Sequence, residues 1–288
     1  MNRTLRIYLL LLAALVLLWA GRHWSDLGDM ARGADLLLLS ATALYGLSHL
    51  FRMLRLVLLT LDQRDKAFAL SAAHALTAFP SSFLPFKIGE ILRLAALFHV
   101  FDFRRKAGAV WLAERFGDVV VIALFILGLY LFDVRVPAAM RTVFFFFVLA
   151  SLFGLLAMFA VAKTFVYLNR HLVLVSHSRH GLWLLRVSHA LRQLELDIYR
   201  SVEGRLTGLL LLSVLIWSLE IAALSLFLNR LGAAETDFSA MFAAGLLASL
   251  PGGGAGAFGQ YQSLALVALT LLFLAALSLA ARMRLTRS

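Results

Sequence analysis

The stretch PSSFLPFKIGEILR, residues Pro80 to Arg93, decides how this chain must fold. It interrupts a long apolar segment with two prolines and a glycine, and it carries Lys87, Glu90 and Arg93. At membrane depth an irregular backbone and ionisable side chains need protein or water around them, because lipid tails offer no hydrogen-bond partner. We therefore expect this stretch to line a cavity that the rest of the chain builds.

The composition of the whole chain is that of a polytopic membrane protein. Of its 288 residues, 62% are hydrophobic, against roughly 45–50% in soluble domains. Long apolar runs recur from end to end, so we predict one all-α integral membrane domain over residues 1–288. The net charge of +11 is typical of basic loops that orient a membrane protein and attract anionic lipid. No basic stretch interleaved with aromatic residues indicates nucleic-acid binding, and with no cysteine or other ligand cluster we predict no metal and no cofactor.

Hydropathy predicts five or six full membrane spans and two broken, re-entrant helical segments. The first broken segment enters from Ala67, is interrupted at Pro80 and Pro85, and returns to the side where it began. The second is interrupted by PGGGAGAFG, residues Pro251 to Gly259. Residues 5–20 are interpreted as a membrane helix rather than a signal-peptide core, because no small-x-small cleavage site stands out. The full spans are predicted at about 5–20, 35–61, 108–132, 143–162, 207–229 and 260–281.

Residues 163–206 differ from the rest in being rich in charge. Apolar residues recur there at intervals of three and four, which indicates one stripe along a helix. We predict a basic amphipathic helix that lies on the cytoplasmic leaflet, with both chain termini on the same side. The stripe consists of Leu184, Val187, Leu191, Leu194 and Ile198.

Ionisable side chains inside the apolar segments are nearly balanced in charge. A charge at the bilayer centre costs about 2.5–3.5 kcal/mol on insertion scales, so the set is tolerable only if its members pair or are hydrated. The alternative to a functional interior is a static network of ion pairs that only holds helices together. The five basic members are Arg52, Arg55, Lys87, Arg93 and Arg115, and the four acidic members are Glu90, Glu114, Asp118 and Glu220.

Spacing along the chain leaves the partners of these groups open. Arg52 and Arg55 lie three apart on one helix face, and the favoured interpretation is that both snorkel to the cytoplasmic boundary. The alternative points Arg55 into the cavity. Glu220 has no basic residue within a turn, so its expected partner is Arg93 or Arg115, unless the side chain is protonated and carries a proton.

The two broken segments also resemble each other. In each, a proline is followed several residues later by a glycine and a polar residue, Gly89–Glu90 in the first and Gly259–Gln260 in the second. Paired segments interrupted by glycine and proline indicate a substrate site in transporters. Two ordinary tight connections are the alternative.

Four motifs resemble the membrane region of the lysylphosphatidylglycerol synthase/flippase family. The resemblance implies a helical membrane fold with re-entrant segments and a role in moving or handling lipids. Relatives commonly carry a glutamate after the late glycines, where this chain has Gln260 or Gln262, which puts proton coupling there in doubt. No soluble aminoacyl-transferase region is evident, so lysyl transfer is not implied. The motifs are HLFRMLRLVLL (His49–Leu59), FLPFKIGEILR (Phe83–Arg93), AERFGD (Ala113–Asp118) and LPGGGAGAFGQYQ (Leu250–Gln262).

We therefore predict a lipid transporter or flippase of the inner or plasma membrane. Its basic side chains attract an anionic headgroup, its acidic ones hold those bases in place, and the glycine-rich loop lets backbone approach the substrate. The alternative is a membrane-embedded enzyme or accessory subunit for transfer of a lipid-linked sugar or phosphate, with Glu90 or Asp118 as general base. The expected partner is a membrane phospholipid or polyprenyl-linked lipid, with a homo-oligomer and a separate synthase or glycosyltransferase left open. The expected substrate-binding residues are Lys87, Glu90, Arg93, Glu114, Arg115, Asp118, Arg55, Glu220, Gly259 and Gln260.

Overall fold

The computed structural model describes residues 3–33, 35–83, 88–131, 179–230 and 257–285, together with short pieces between 141 and 167. Within these residues the regular structure is helical throughout, which confirms the all-α prediction. A 3₁₀ turn, Leu61–Lys66, separates the third and fourth helices. The α-helices are α1 (Arg3–Arg22), α2 (Trp24–Arg32), α3 (Leu36–Leu59), α4 (Ala67–Phe83), α5 (Ile88–Val100), α6 (Arg104–Leu131), α7 (Arg179–Val202), α8 (Leu206–Arg230) and α9 (Ala257–Leu285).

In the described part of the chain, four helices are long and apolar enough to cross a membrane: α1, α3, α8 and α9. Helix α6 has 28 residues and is about 42 Å long at 1.5 Å per residue, but its first half is charged. Half of the span predicted at 143–162 lies outside the described residues. The predicted total of five or six full spans therefore stays a prediction.

Helix α3 has defined ends that agree with the predicted span. The Asp35 side chain caps its start, because Oδ1 accepts a hydrogen bond from the Leu38 N–H at 2.9 Å. At its other end, Arg205 Nη1 donates to the Leu59 carbonyl at 3.0 Å. A cation at a helix C-terminus also offsets the partial negative charge of the last carbonyls.

Helices α4 and α5 form a tight antiparallel hairpin. Near its tip, Ser81 Oγ donates to the Gly89 carbonyl at 3.1 Å, and a Cβ added at Gly89 would stand 2.5 Å from Ser81 Cβ. At its base, Lys66 Nζ lies 2.6 Å from Asp102 Oδ2. The chain therefore returns to the end where it began, as predicted for the first broken segment.

Pro80 does not interrupt the helix, and the prediction of a break at this residue was wrong. Helix α4 continues through Pro80 to Phe83, while Pro85 lies outside the described residues. A proline inside a helix leaves the carbonyl four residues earlier without its donor, and here that carbonyl belongs to Leu76. The Tyr8 hydroxyl of α1 donates to it at 2.7 Å, so a contact between helices replaces the missing bond.

The amphipathic helix predicted within 163–206 is α7, but its apolar stripe does not face lipid alone. Helix α7 packs against α6, and Leu194 would lie 3.9 Å from a Cβ at Gly108. This distance is ordinary van der Waals contact, so protein covers part of the stripe. Leu182 and Trp183 remain exposed.

Two apolar layers enclose a polar one in the middle of the bundle. Toward the 61–66 turn, α3, α4, α5, α6 and α8 share a buried cluster that includes Leu56, Leu97 and Val110. Farther along α6, Ile122 and Ile126 pack with half-buried aromatic and aliphatic side chains such as Trp217. On α6, the ionisable residues 114, 115 and 118 fall between these two clusters in sequence.

Candidate functional site

Four helices contribute to a layer of ion pairs, which we call the charge layer. In the described residues it contains four cations and four anions, so its formal charge is zero. The near-balance predicted from sequence holds among these groups, and Lys87, the fifth predicted cation, lies outside the described residues. The charge layer consists of Arg52 and Arg55 on α3, Glu90 and Arg93 on α5, Glu114, Arg115 and Asp118 on α6, and Glu220 on α8.

Arg55 is the centre of the charge layer. Its side chain is fully buried, and Nη1 donates to Asp118 Oδ1 at 2.6 Å and to Ser213 Oγ at 2.7 Å. Its Nη2 donates to Asp118 Oδ2 at 3.2 Å and to Glu114 Oε1 at 3.3 Å. The interpretation that Arg55 snorkels to the boundary is therefore wrong, because two acidic residues on α6 hold its head inside the protein.

Glycine at position 117 allows this arrangement. A Cβ there would stand 2.7 Å from Ser213 Oγ and 3.2 Å from Leu209 Cδ1. Helices α6 and α8 therefore approach closely at this level, and the close approach places the Ser213 hydroxyl within reach of the Arg55 guanidinium.

Glu114 joins two arginines. Arg93 Nη2 donates to both of its carboxylate oxygens, at 2.8 and 2.7 Å, while Arg55 donates to Oε1. All three side chains are buried. A buried carboxylate between two guanidinium groups is compensated in charge, and the pairing ties α3, α5 and α6 together.

The outer edge of the charge layer is the pair formed by Glu90 and Arg115. Arg115 Nη2 lies 3.1 Å from Glu90 Oε2, and the two side chains are 30% and 33% exposed. The Trp111 indole N–H donates to the same carboxylate oxygen at 3.1 Å, and Arg115 Nη1 lies 3.4 Å from Asp118 Oδ2. Arg115 Nε has no hydrogen-bond partner among the described residues. This pair is where a solute can meet the charge layer.

Arg52 and Glu220 form a neighbouring pair, which corrects two predictions. Arg52 Nη2 donates to Glu220 Oε1 at 2.7 Å and Nε donates to it at 3.2 Å, so Arg52 does not snorkel. The predicted partners of Glu220, Arg93 and Arg115, are both engaged by acids of α5 and α6. The Ser48 hydroxyl also donates to Glu220 Oε1, at 3.1 Å.

Sequence reasoning missed several residues of this region. Ser213 and Trp217 were not predicted. Trp217 lies four residues after Ser213 and three before Glu220, which is the spacing of one helix face. The Trp217 indole N–H donates to Asp118 Oδ1 at 3.3 Å. His74 gave no signal beyond being a polar residue in an apolar helix, yet its Nε2 lies 3.1 Å from His49 Nδ1.

The second broken segment is described only at its end. Gly259 and Gln260 fall in the first turn of α9, which starts at Ala257. Residues 231–256 lie outside the described residues, so the predicted meeting of the two broken segments stays a prediction. Among the residues that the structure describes, no group of three or more His, Cys, Asp or Glu side chains is arranged to hold a metal ion.

Ion pairs also join the loops at the base of the α4–α5 hairpin. Partial burial opposes ionisation of Asp62, but hydrogen bonding by Lys106 and the charge of Arg205 hold the pKa of that carboxyl below its ordinary value. The hydrogen bond from Lys66 likewise holds the pKa of Asp102 below its ordinary value. Both carboxylates are thus ionised at neutral pH, and their ion pairs hold the base of the hairpin together.

Comparison with known proteins identifies one family. The model described as the lysylphosphatidylglycerol synthase TM region matches residues 6–286, nearly the whole chain. No curated protein and no solved structure matches significantly.

Proposed function

This chain belongs to the lysylphosphatidylglycerol synthase TM region family, and from that premise we propose that it is a lipid transporter or flippase for an anionic headgroup. The family and the apolar helices make it a membrane protein with a lipid-related role. In this mechanism, the negatively charged headgroup enters the charge layer and passes between the leaflets of the inner or plasma membrane. Both termini are proposed to face the cytoplasm.

The observation that carries the proposal is the pair of Arg115 and Glu90, which are 30% and 33% exposed and are the most exposed members of the described charge layer. An arriving phosphate can replace the Glu90 carboxylate on Arg115, so one anion takes the place of another and no buried cation is left unpaired. Arg115 Nε is buried and has no hydrogen-bond partner among the described residues, so it becomes a further donor if the side chain turns toward the ligand. A guanidinium that can offer several N–H groups is well suited to phosphate.

The rest of the charge layer supports an exchange of this kind. Asp118 keeps two donors, Arg55 and Trp217, when Arg115 turns toward a ligand. The apolar clusters on either side of the layer limit access by water and ions. Because the headgroup replaces a carboxylate on Arg115, a headgroup with negative charge is favoured over a neutral one. This holds whether it belongs to a phospholipid or to a polyprenyl-linked lipid. A homo-oligomer and a separate synthase or glycosyltransferase remain compatible partners.

The geometry favours transport over the enzymatic alternative. A general base takes a proton from its substrate, and a carboxylate held by guanidinium groups is a weaker base because these cations stabilise its charge. Both oxygens of Asp118 accept hydrogen bonds from Arg55, and Glu90 Oε2 faces Trp111 and Arg115. These carboxylates act as counter-ions in the charge layer.

Lipid exchange in reconstituted vesicles tests the proposal. Phosphatidylcholine vesicles would contain phosphatidylglycerol with a fluorophore on an acyl chain, and a membrane-impermeant reductant would report the outer-leaflet fraction over time. We expect exchange above that of protein-free vesicles, and slower exchange of labelled phosphatidylcholine. Arg115→Gln removes a charge-assisted contact of about 1.5–3 kcal/mol, so the anionic lipid should move roughly ten- to a hundredfold more slowly.

The matched control is Lys66→Gln, which breaks an ion pair at the base of the hairpin outside the charge layer. It should exchange lipid like the wild type. Exchange equal to protein-free vesicles would refute transport. Wild-type exchange in Arg115→Gln would show that the headgroup does not use this pair.

A further inference from the structure

Two histidines beside the charge layer form a buried pair that the proposed headgroup site does not use. His49 Nδ1 on α3 lies 3.1 Å from His74 Nε2 on α4, with ring centroids 5.3 Å apart. Both side chains are buried. One ring donates the shared hydrogen and the other accepts it, so each histidine has one further nitrogen, His49 Nε2 and His74 Nδ1. Neither has a hydrogen-bond partner among the described residues.

The pair adjoins the charge layer and responds to its charges. His49 lies one helical turn from Arg52, and its ring meets the edge of Tyr45 at 5.1 Å between centroids. Glu220 is bound to Arg52 from α8. The part of α9 whose side chains are described, from 261 on, brings no charged side chain to this place among residues 261–279. The groups that act on the pair electrostatically are Arg52 and Arg55 from α3 and Arg93 from α5. All three are cations and oppose a positive charge on either ring, so uptake of a proton depends on the negative charge that the headgroup brings.

Charge balance then links the pair to the substrate. With both histidines neutral, the charge layer sums to zero over the described residues, so a bound anionic headgroup adds one uncompensated negative charge to that set. The carboxylates of the layer already face arginine side chains. Histidine is the side chain whose charge changes near neutral pH, and protonating one ring restores zero.

We propose, on the basis of the proposed lipid transport, that the His49–His74 pair is a proton-binding site and that one proton enters with each anionic headgroup. The proton comes from water and forms an N–H bond with the lone pair of the outer nitrogen that lacks hydrogen. The shared hydrogen can shift to the other ring, and the hydrogen on that ring's outer nitrogen can leave to water. Transport of lipid anion and proton together moves no net charge.

The experiment uses the vesicles described above with a pH difference across the membrane. With one proton per lipid, a difference of about one pH unit shifts the final distribution of labelled phosphatidylglycerol between leaflets by about tenfold. A luminal pH dye should report proton movement when the lipid moves without an imposed pH difference. Clamping the membrane potential with potassium and valinomycin should leave the shift unchanged.

Substitution identifies the site. A glutamine side chain can form a hydrogen bond between positions 49 and 74 but cannot take up a proton. The double variant His49→Gln with His74→Gln should therefore lose the tenfold shift. His99→Gln, at an exposed histidine of α5, should keep it. If the double variant does not fold, His74→Gln alone should lose the shift, and the wild-type luminal pH signal remains an independent test.

Each outcome separates the two proposals. Lipid exchange without any response to the pH difference overturns proton coupling and leaves the lipid transport standing. A wild-type response in the histidine variants overturns the assignment of the site. Absence of lipid exchange in the wild type overturns both.

Discussion

Replacing Arg55 by methionine should cost about 3–5 kcal/mol in the free energy of unfolding, the range for breaking a buried ion pair. The Arg55 guanidinium is fully buried and donates hydrogen bonds to Asp118, Glu114 and Ser213, all at 3.3 Å or less. Glu114 keeps its two contacts with Arg93. The main loss is therefore at Asp118, and the charge layer acquires one uncompensated negative charge.

The comparison variant is Arg52→Met. Among the carboxylates that the structure describes, Arg52 forms an ion pair with Glu220 alone, and the two side chains are 13% and 19% exposed. Water can screen that pair, so we expect about 1–3 kcal/mol, between the ranges for exposed and buried pairs. The ratio between the two variants tests whether burial decides the cost.

A double variant distinguishes charge imbalance from lost packing. Arg55→Met with Asp118→Asn returns the layer to zero charge, so it should be more stable than Arg55→Met alone. The assay is unfolding in detergent micelles, followed by circular dichroism and tryptophan fluorescence. The reasoning fails if Arg55→Met lies within about 1 kcal/mol of the wild type, the size of an ordinary substitution. It fails equally if the double variant is no more stable than the single one.

Three further predictions use the same unfolding assay. Gly89→Ala should destabilise the protein because its Cβ would overlap the opposite hairpin helix, whereas Gly46→Ala has open space and should be neutral or slightly stabilising; equal effects would contradict the tight hairpin. Tyr8→Phe should cost about 1–3 kcal/mol, the price of an unpaired buried carbonyl, and less in a Pro80→Ala background, where the helix regains its own donor; additive effects would contradict this. Asp62 has a lowered pKa, so its ion pairs stabilise the protein above the ordinary value of 3.8 and less as pH falls; Asp62→Asn should therefore lower the unfolding midpoint at neutral pH and converge with the wild type in acid, and a constant difference at all pH values would argue against it.

The membrane class, the all-α fold and the family could be predicted from the sequence because they depend on composition, run length and local motifs. The hairpin of α4 and α5 followed from basic residues on both sides of one apolar segment. The continuation of α4 through Pro80 did not, because the Tyr8 hydroxyl that replaces the missing donor lies 68 positions before Leu76 in the sequence.

The membership of the charge layer was predictable, but its pairing was not. Spacing shows that Glu114 and Asp118 share a face of α6, and Arg55 and Glu220 each need partners. Which helix faces a given charged side chain depends on packing. For example, the glycine at 117 leaves space for the Ser213 side chain beside α6. The predicted snorkelling of Arg55 and the predicted pairing of Glu220 with Arg93 or Arg115 were therefore wrong, although all four residues belong to the charge layer.

The pairing of Arg55 across the bundle also constrains how the protein is made. Its acidic partner Asp118 is synthesised 63 residues later and Ser213 158 residues later. When α3 leaves the ribosome, the Arg55 guanidinium near its C-terminal end has none of these partners, and a charge without a partner makes insertion into lipid less favourable. Helix α3 must therefore stay near water or the insertion machinery until α6 arrives, so the order of synthesis and the assembly of the charge layer are coupled.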